Sequence, residues 1–179
     1  MYWTQSTPSS SIWTYTDLAY HLRIDDDVIG VTAEQNYLID LQATAVEFAE
    51  TMMGTSLLTR TVTAIFNQRD ALYLPRGPII SITSIEDKNA AITDYEIRGH
   101  GNAEELYLPH GFTAPLTVVY QAGYGADPSD VPSDIRHAIR AHVGLLYERR
   151  ESAGDRTITT VPHSLEDFYR LKSRNSQVG

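Results

Sequence analysis

Asp25, Asp27 and Gly30 stand where a calcium loop would place two ligands and its turn glycine, in a site whose oxygens must recur at alternate positions. The fifth position is Ile29, and the twelfth, where a bidentate Glu is needed, is Asn36. The set cannot close around a cation, so 25–27 reads as a solvated acidic turn. Residues 98–105 (RGHGNAEE) hold two glycines at dinucleotide-loop spacing, but Glu104 occupies the third glycine position. That stretch lies between β segments, not at the entry to a helix where backbone N–H groups would meet a phosphate. No Walker loop and no G-x-S-x-G elbow is present. Of six histidines, His137 and His142 are five apart on one helical stretch, not the i, i+4 pairing that brings two ligands to one face. His100 and His110 flank Glu104 and Glu105 and could converge across a hairpin, yet no closing ligand set is visible. The reading is therefore of a chain with no catalytic residue, no metal and no cofactor.

One charged constellation remains. Glu148, Arg149, Arg150 and Glu151 crowd the end of a helical stretch. Such clusters are usually solvated helix termini whose pairs are worth under about 1 kcal/mol. The other reading is a contact between subunits, where the guanidinium forks have more use.

The elements that would position these groups follow from periodicity. Residues 1–15 are rich in Ser, Thr and aromatics without a period and read as an arm. Trp3, Ile12 and Trp13 would be exposed on a solitary arm, so they are expected to pack on the body or on a neighbouring subunit. Thr16-Asp17 can cap a short helix to about Arg23, and Thr32 with Gln35 has capping-box spacing. Leu38, Leu41, Ala45, Phe48 and Met52 then recur every three or four residues, a helical core face with Gly54 as its stop. From 55 to 125 the pattern turns β-branched and alternating, in short runs at 56–66, 71–75, 78–87, 92–98, 103–108 and 115–125. Helix returns at 132, with Pro132 and Asp134 in its first turn, and runs to about 152. A last short helix is expected over 164–173, capped by Ser164 with Asp167 three residues on.

The fold class expected is α+β: a helical core with long helices at about 32–53 and 132–152, a small antiparallel β insertion and a C-terminal helix. The organisation read from this is an arm at 1–15, core at 16–54, β insertion at 55–125, core again at 126–160, and a C-terminal arm at 161–179.

Length and composition agree with a folded single unit. The chain has 179 residues, 42% hydrophobic and 21% charged, enough to bury a core without staples. There is no cysteine, which excludes a disulfide framework and thiolate chemistry. The N-terminus lacks the pattern of a signal peptide, and no apolar run is long enough to span a membrane, so a soluble intracellular protein is expected. Net charge is -9. Residues 1–131 carry 17 acidic and 6 basic side chains, residues 132–179 carry 6 and 8. An acidic body repels a phosphate backbone, which argues against ordinary duplex binding.

Several segments in order carry a resemblance: HLRIDDD (21–27), LPRGPIISITSIED (74–87), VVYQAGYG (118–125), VPSDIRHAI (131–139) and LLYERRES (145–152). Together they resemble the head-to-tail connector (adaptor) family of tailed bacteriophages and gene transfer agents, over roughly residues 16–172. The resemblance implies a structural protein of the virion neck, assembled in the host bacterial cytoplasm. It implies a ring of about twelve copies docked beneath the portal protein, a heterologous cyclic assembly. The ring would link capsid to tail, meet the next neck or tail protein, and let DNA pass through its lumen without specific binding.

In such adaptors the C-terminal segment reaches onto the portal. Here that would be 161–174, with Leu165, Phe168 and Tyr169 as anchors and Arg170, Lys172 and Arg174 as a basic fringe. A helix folded back on its own core would use the same apolar residues. Trp3, Trp13 and Glu148–Glu151 are the candidates for the subunit interface. Asp25, Asp26, Asp27, Glu104 and Glu105 are candidates to face the lumen, where carboxylates would keep the duplex sliding. A stopper or tail terminator is the other ring component to weigh, though those are usually richer in β structure.

Overall fold

The computed structural model describes residues 1–8, 10–24, 31–67, 71–99, 104–152 and 163–174, with 149–152 by backbone alone. Four α-helices and seven strands are assigned among them. Helix α1 (Tyr15–Leu22) begins one residue earlier than Thr16, because Thr14 is the cap. The Thr14 hydroxyl accepts from the Asp17 N–H at 3.2 Å, and the Asp17 carboxylate accepts from the Thr14 N–H at 3.1 Å. These bonds satisfy two otherwise orphaned backbone groups, and the Thr14 hydroxyl, donating to the carboxylate at 2.7 Å, together with the Thr14 N–H holds the Asp17 carboxyl below its ordinary range.

Helix α2 (Thr32–Met53) ends at Gly54, whose φ of +66° is the left-handed conformation a C-cap requires. Its start differs from expectation. Val31 is the N-cap residue and no side chain caps there, so Thr32 is simply the first helical residue. Helix α3 (Ser133–Ser152) follows Pro132, whose carbonyl accepts the Arg136 N–H at 3.0 Å. Helix α4 (His163–Leu171) is strongly amphipathic.

Strands β1 (Tyr2–Gln5), β2 (Arg60–Phe66), β7 (Leu116–Ala122) and β4 (Ile79–Glu86) form one antiparallel sheet in the order β1-β2-β7-β4. Strands β3 (Leu72–Tyr73), β6 (Glu105–Tyr107) and β5 (Glu96–Arg98) form a second. The mixture of helices and antiparallel sheets is α+β. One expectation fails here. Residues 2–5 are no arm but an edge strand, registered on β2 with Tyr2 opposite Ile65 and Gln5 opposite Val62.

Two apolar clusters share the chain. Leu18, Leu38, Ala45, Met53, Ile135, Ile139, Val143 and Tyr169 belong to the helical one. Val62, Phe66, Leu106, Leu116, Val118 and Tyr120 belong to the other, where the inner faces of both sheets meet. Strict alternation in β2 and β7 puts every second residue inside.

Candidate functional site

No cluster of three or more metal-ligating side chains exists among the described residues. His142 is 2% exposed and lies between Phe48 and Tyr169, with ring centroids at 5.2 and 6.2 Å, so it is a core histidine. His110 meets Asp94 at 3.2 Å on the open surface. His100 lies outside the described residues. Among the described residues no helix is long and apolar enough to cross a membrane.

The most concentrated chemistry is a buried polar joint where the helical layer meets the sheet. Glu50, 2% exposed near the end of α2, accepts the Leu57 N–H at 2.9 Å and an Arg60 guanidinium N–H at 2.8 Å. Burial pushes its carboxyl up, against the pull of the Leu57 N–H and of Arg60 and Arg76. Arg76, 6% exposed, donates to the carbonyls of Glu50 and Thr55. Its guanidinium also lies 4.9 Å from the centroid of the Trp3 ring. The Tyr120 hydroxyl accepts the Arg76 N–H and donates to the Arg76 carbonyl, both at 3.1 Å. Burial pushes that phenol up to about 12, so it stays a neutral donor.

A second pair seals the other side of the joint. Glu104 accepts the Ile79 N–H at 3.0 Å and faces Arg174 at 3.4 Å. Burial raises the Glu104 carboxyl and lowers the Arg174 guanidinium, each opposed by the other's charge. Gly77 is needed beside this pair: a Cβ there would lie 2.5 Å from an Arg174 nitrogen and 2.8 Å from a Glu104 oxygen. Buried charges paired this way link the helical layer to the sheet.

The joint changes the account of several expected site residues. Trp13 is 8% exposed, its backbone clamped by Gln42, its ring under the Arg140 guanidinium at 4.8 Å. Trp3 is half-buried against Arg76. Both tryptophans therefore pack on the chain's own body. Glu104 is turned inward onto Arg174, so its charge is already compensated, while Glu105 sits half-buried in β6. Tyr169 is fully buried and Arg174 is 5% exposed, because α4 folds back on the helical core. Leu165 and Phe168 pack half-buried against the same core. Arg170 and Lys172 remain outside, Lys172 bonded to Asp134 at 2.6 Å, and Leu171 is 77% exposed. Glu148 is exposed. Asp25, Asp26 and Asp27, and the side chains of Arg149, Arg150 and Glu151, lie outside the described residues.

This architecture of helices against two antiparallel sheets occurs in known particles. A chain in the neck of an empty gene transfer agent particle, computed with C6 symmetry, superposes with a TM-score of 0.74. The match covers 95% of both chains at 17% identity. The chain has the fold of a gene transfer agent neck component. A chain in the virion of a native gene transfer agent particle matches with a TM-score of 0.72 at 17% identity. One in the neck of a native particle, computed with C12 symmetry, matches with 0.67 at 15%. Each again covers 95% of both chains. No family model matches the sequence, and no curated protein does.

Against this neck fold, sequence reasoning missed the polar joint. Glu50 sat in the last turn of a helical stretch, Arg60 was a lone cation in a β run and Arg76 one between two such runs. The available signal was a Glu one turn before the end of an amphipathic helix, on the flank of its apolar stripe.

Proposed function

We propose that this chain is a head-to-tail connector (adaptor) subunit of a virion neck, a structural ring protein that catalyses nothing. The observation that carries the reading is a fold match over 95% of both chains with a gene transfer agent neck chain. The ordered sequence segments that resemble the connector family, read independently of the fold, point the same way. In this reading copies close into a ring of about twelve beneath the portal by a heterologous contact. The ring is assembled in the bacterial cytoplasm, links capsid to tail, and lets DNA through. A net charge of -9 suits a channel that must not grip a polyanion.

The portal contact is assigned to the outer side of α4, where Arg170 and Leu171 are exposed and Phe168 half-exposed. Tyr169 anchors that helix to its own core instead of reaching the partner.

The test is the mass distribution of the purified chain, alone and mixed with its cognate portal ring. A species at portal mass plus a ring of subunits, lost in R170E/L171D, supports the reading. If the chain is folded and no complex forms, the portal contact is refuted and a stopper or tail terminator becomes the better account. Deleting 162–179 would be a poorer test, since it removes Tyr169 from the core.

A further inference from the structure

A groove of about 700 Å³ is lined by β1, the segment that follows it, and helix α2. Its apolar lining includes Trp3, Ile12, Ile39, Val46, Leu57 and Leu58. Glu50, Arg60 and Arg76 of the polar joint line it as well. In that joint Arg60 is bonded to Glu50 and Arg174 to Glu104. Arg76 is buried against carbonyl oxygens and the Trp3 ring, and among the described residues no carboxylate is hydrogen-bonded to it. The buried Nε–H groups of Arg60 and Arg76 and the side-chain oxygen of Gln5 have no hydrogen-bond partner among the described residues. Glu47, the other acid on the lining, is exposed. A buried cation and unpaired buried donors cost free energy until an acceptor reaches them.

Beside the groove lies an open sheet edge. Strand β1 ends its sheet, so among the described residues one of its edges meets no other strand. Its register on β2 is unbroken from Tyr2 to Gln5, and it holds no charge and no proline. Strand β4, at the other end, carries two register shifts, which make an edge a poor template for pairing. The Ser6 N–H donates to the Thr61 carbonyl. By alternation Tyr2 and Thr4 also turn their backbone groups to β2, and Trp3 and Gln5 turn theirs to the open edge. The side chains of Trp3 and Gln5 line the groove, so a strand added at this edge sets every second side chain on the groove side.

We infer that the β1 edge and this groove form one docking site for an extended segment of a partner protein, apolar at alternate positions with one carboxylate among them. Each part of the site selects part of the occupant. The open edge takes a peptide backbone. The apolar lining takes β-branched side chains from one face of that strand. The guanidiniums of Arg60 and Arg76 take the carboxylate, which brings the acceptors that their Nε–H groups lack. The inference does not depend on the portal contact of α4, which lies on another element.

The probe is the pentapeptide Ile-Thr-Glu-Thr-Ile, amidated and tagged with fluorescein, whose Ile and Glu side chains share one face when extended. Its anisotropy should report binding to the full chain with a Kd of about 1 mM or below. Amide exchange at Trp3 and Gln5 should slow, because their N–H groups gain partners. Replacing the peptide's Glu with Gln should weaken binding about tenfold, through loss of the charge-assisted bonds. N-methylation at its Glu and last Ile should weaken it at least as much, since those N–H groups face β1. Ala43→Trp, an exposed change on α2 that fills the groove, should abolish binding and leave the circular dichroism melt unchanged. No binding up to about 10 mM by a folded chain overturns the inference. So does equal binding of the Gln or the methylated peptide. Decanoate competing as tightly as the peptide would make this a site for free amphiphiles. Peptide that splits copies of the chain from one another would make the occupant a second copy. Either result also overturns the partner segment, and all of them leave the connector reading standing.

Discussion

Arg174 and Glu104, 70 residues apart, meet at 3.4 Å in a buried niche that only Gly77 leaves open. The pair ties Arg174, three residues past the end of α4, to the β unit, so this segment is part of the joint between the layers.

Replacing Arg174 with Ala leaves the half-buried Glu104 carboxylate without its counter-charge. We expect a loss of about 2 kcal/mol in urea unfolding, below the value for a fully buried pair because Glu104 keeps some solvent. Gly77→Ala should cost a similar amount by displacing the pair. The two together should cost clearly less than their sum, since both break the same contact. Full additivity would show that the pair does not hold the joint.

Gln42 grips the N-terminal segment at Trp13, accepting its N–H at 2.8 Å and donating to its carbonyl at 3.1 Å. Gln42→Leu keeps the volume, leaves the Trp13 N–H unsatisfied and takes one of two donors from the Trp13 carbonyl, which keeps the Ser11 hydroxyl at 3.0 Å, at a cost of about 2 kcal/mol. Amide exchange over residues 10–14 should quicken by more than the global loss explains. Unchanged exchange there would count against the clamp.

Tyr169 and its neighbours separate stability from assembly. Tyr169→Ala empties a fully buried site and should cost about 3 kcal/mol. R170E/L171D changes only exposed side chains and should shift stability by less than about 0.5 kcal/mol while abolishing the portal complex. The reverse pattern would mean that α4 is a docking arm after all.

Asp87 sets an acid limit. Its carboxylate accepts the N–H groups of Asn89, Ala90 and Thr113 at 2.8 to 2.9 Å, which holds it below its ordinary 3.8. A carboxyl depressed in the fold stabilises above its unfolded value and loses that contribution as pH falls through the folded one. Wild-type melting temperature should therefore fall below about pH 4. Asp87→Asn should melt lower than wild type at pH 6 and converge with it in acid; parallel curves would exclude Asp87 as a source of the acid sensitivity.

What could be read from the sequence was local. The apolar spacing from Leu38 to Met52 is a helical period, and Gly54 marks its end because the left-handed C-cap penalises a Cβ. The β-branched alternation in 60–66 and 116–122 places strands, since neighbouring residues on a strand face opposite ways. The missing ligand positions at Ile29 and Asn36 speak against a calcium loop without any coordinates. Caps were harder: Thr14, Thr16 and Thr32 offer the same hydroxyl, and only the chain's path shows that Thr14 is used.

The tertiary structure alone decided the rest. Residues 2–5 carry no period of their own and become a strand because β2 offers a free edge. Tyr169 has the same chemistry as an anchor for a partner or for its own core, and in the fold it lies buried with its ring against Phe48 and His142. Glu104, read as a lumen charge, is neutralised by an arginine that no spacing rule connects to it. Periods and caps are fixed by neighbours a few residues away, whereas these contacts join residues tens of positions apart. Their geometry exists only once both layers have packed.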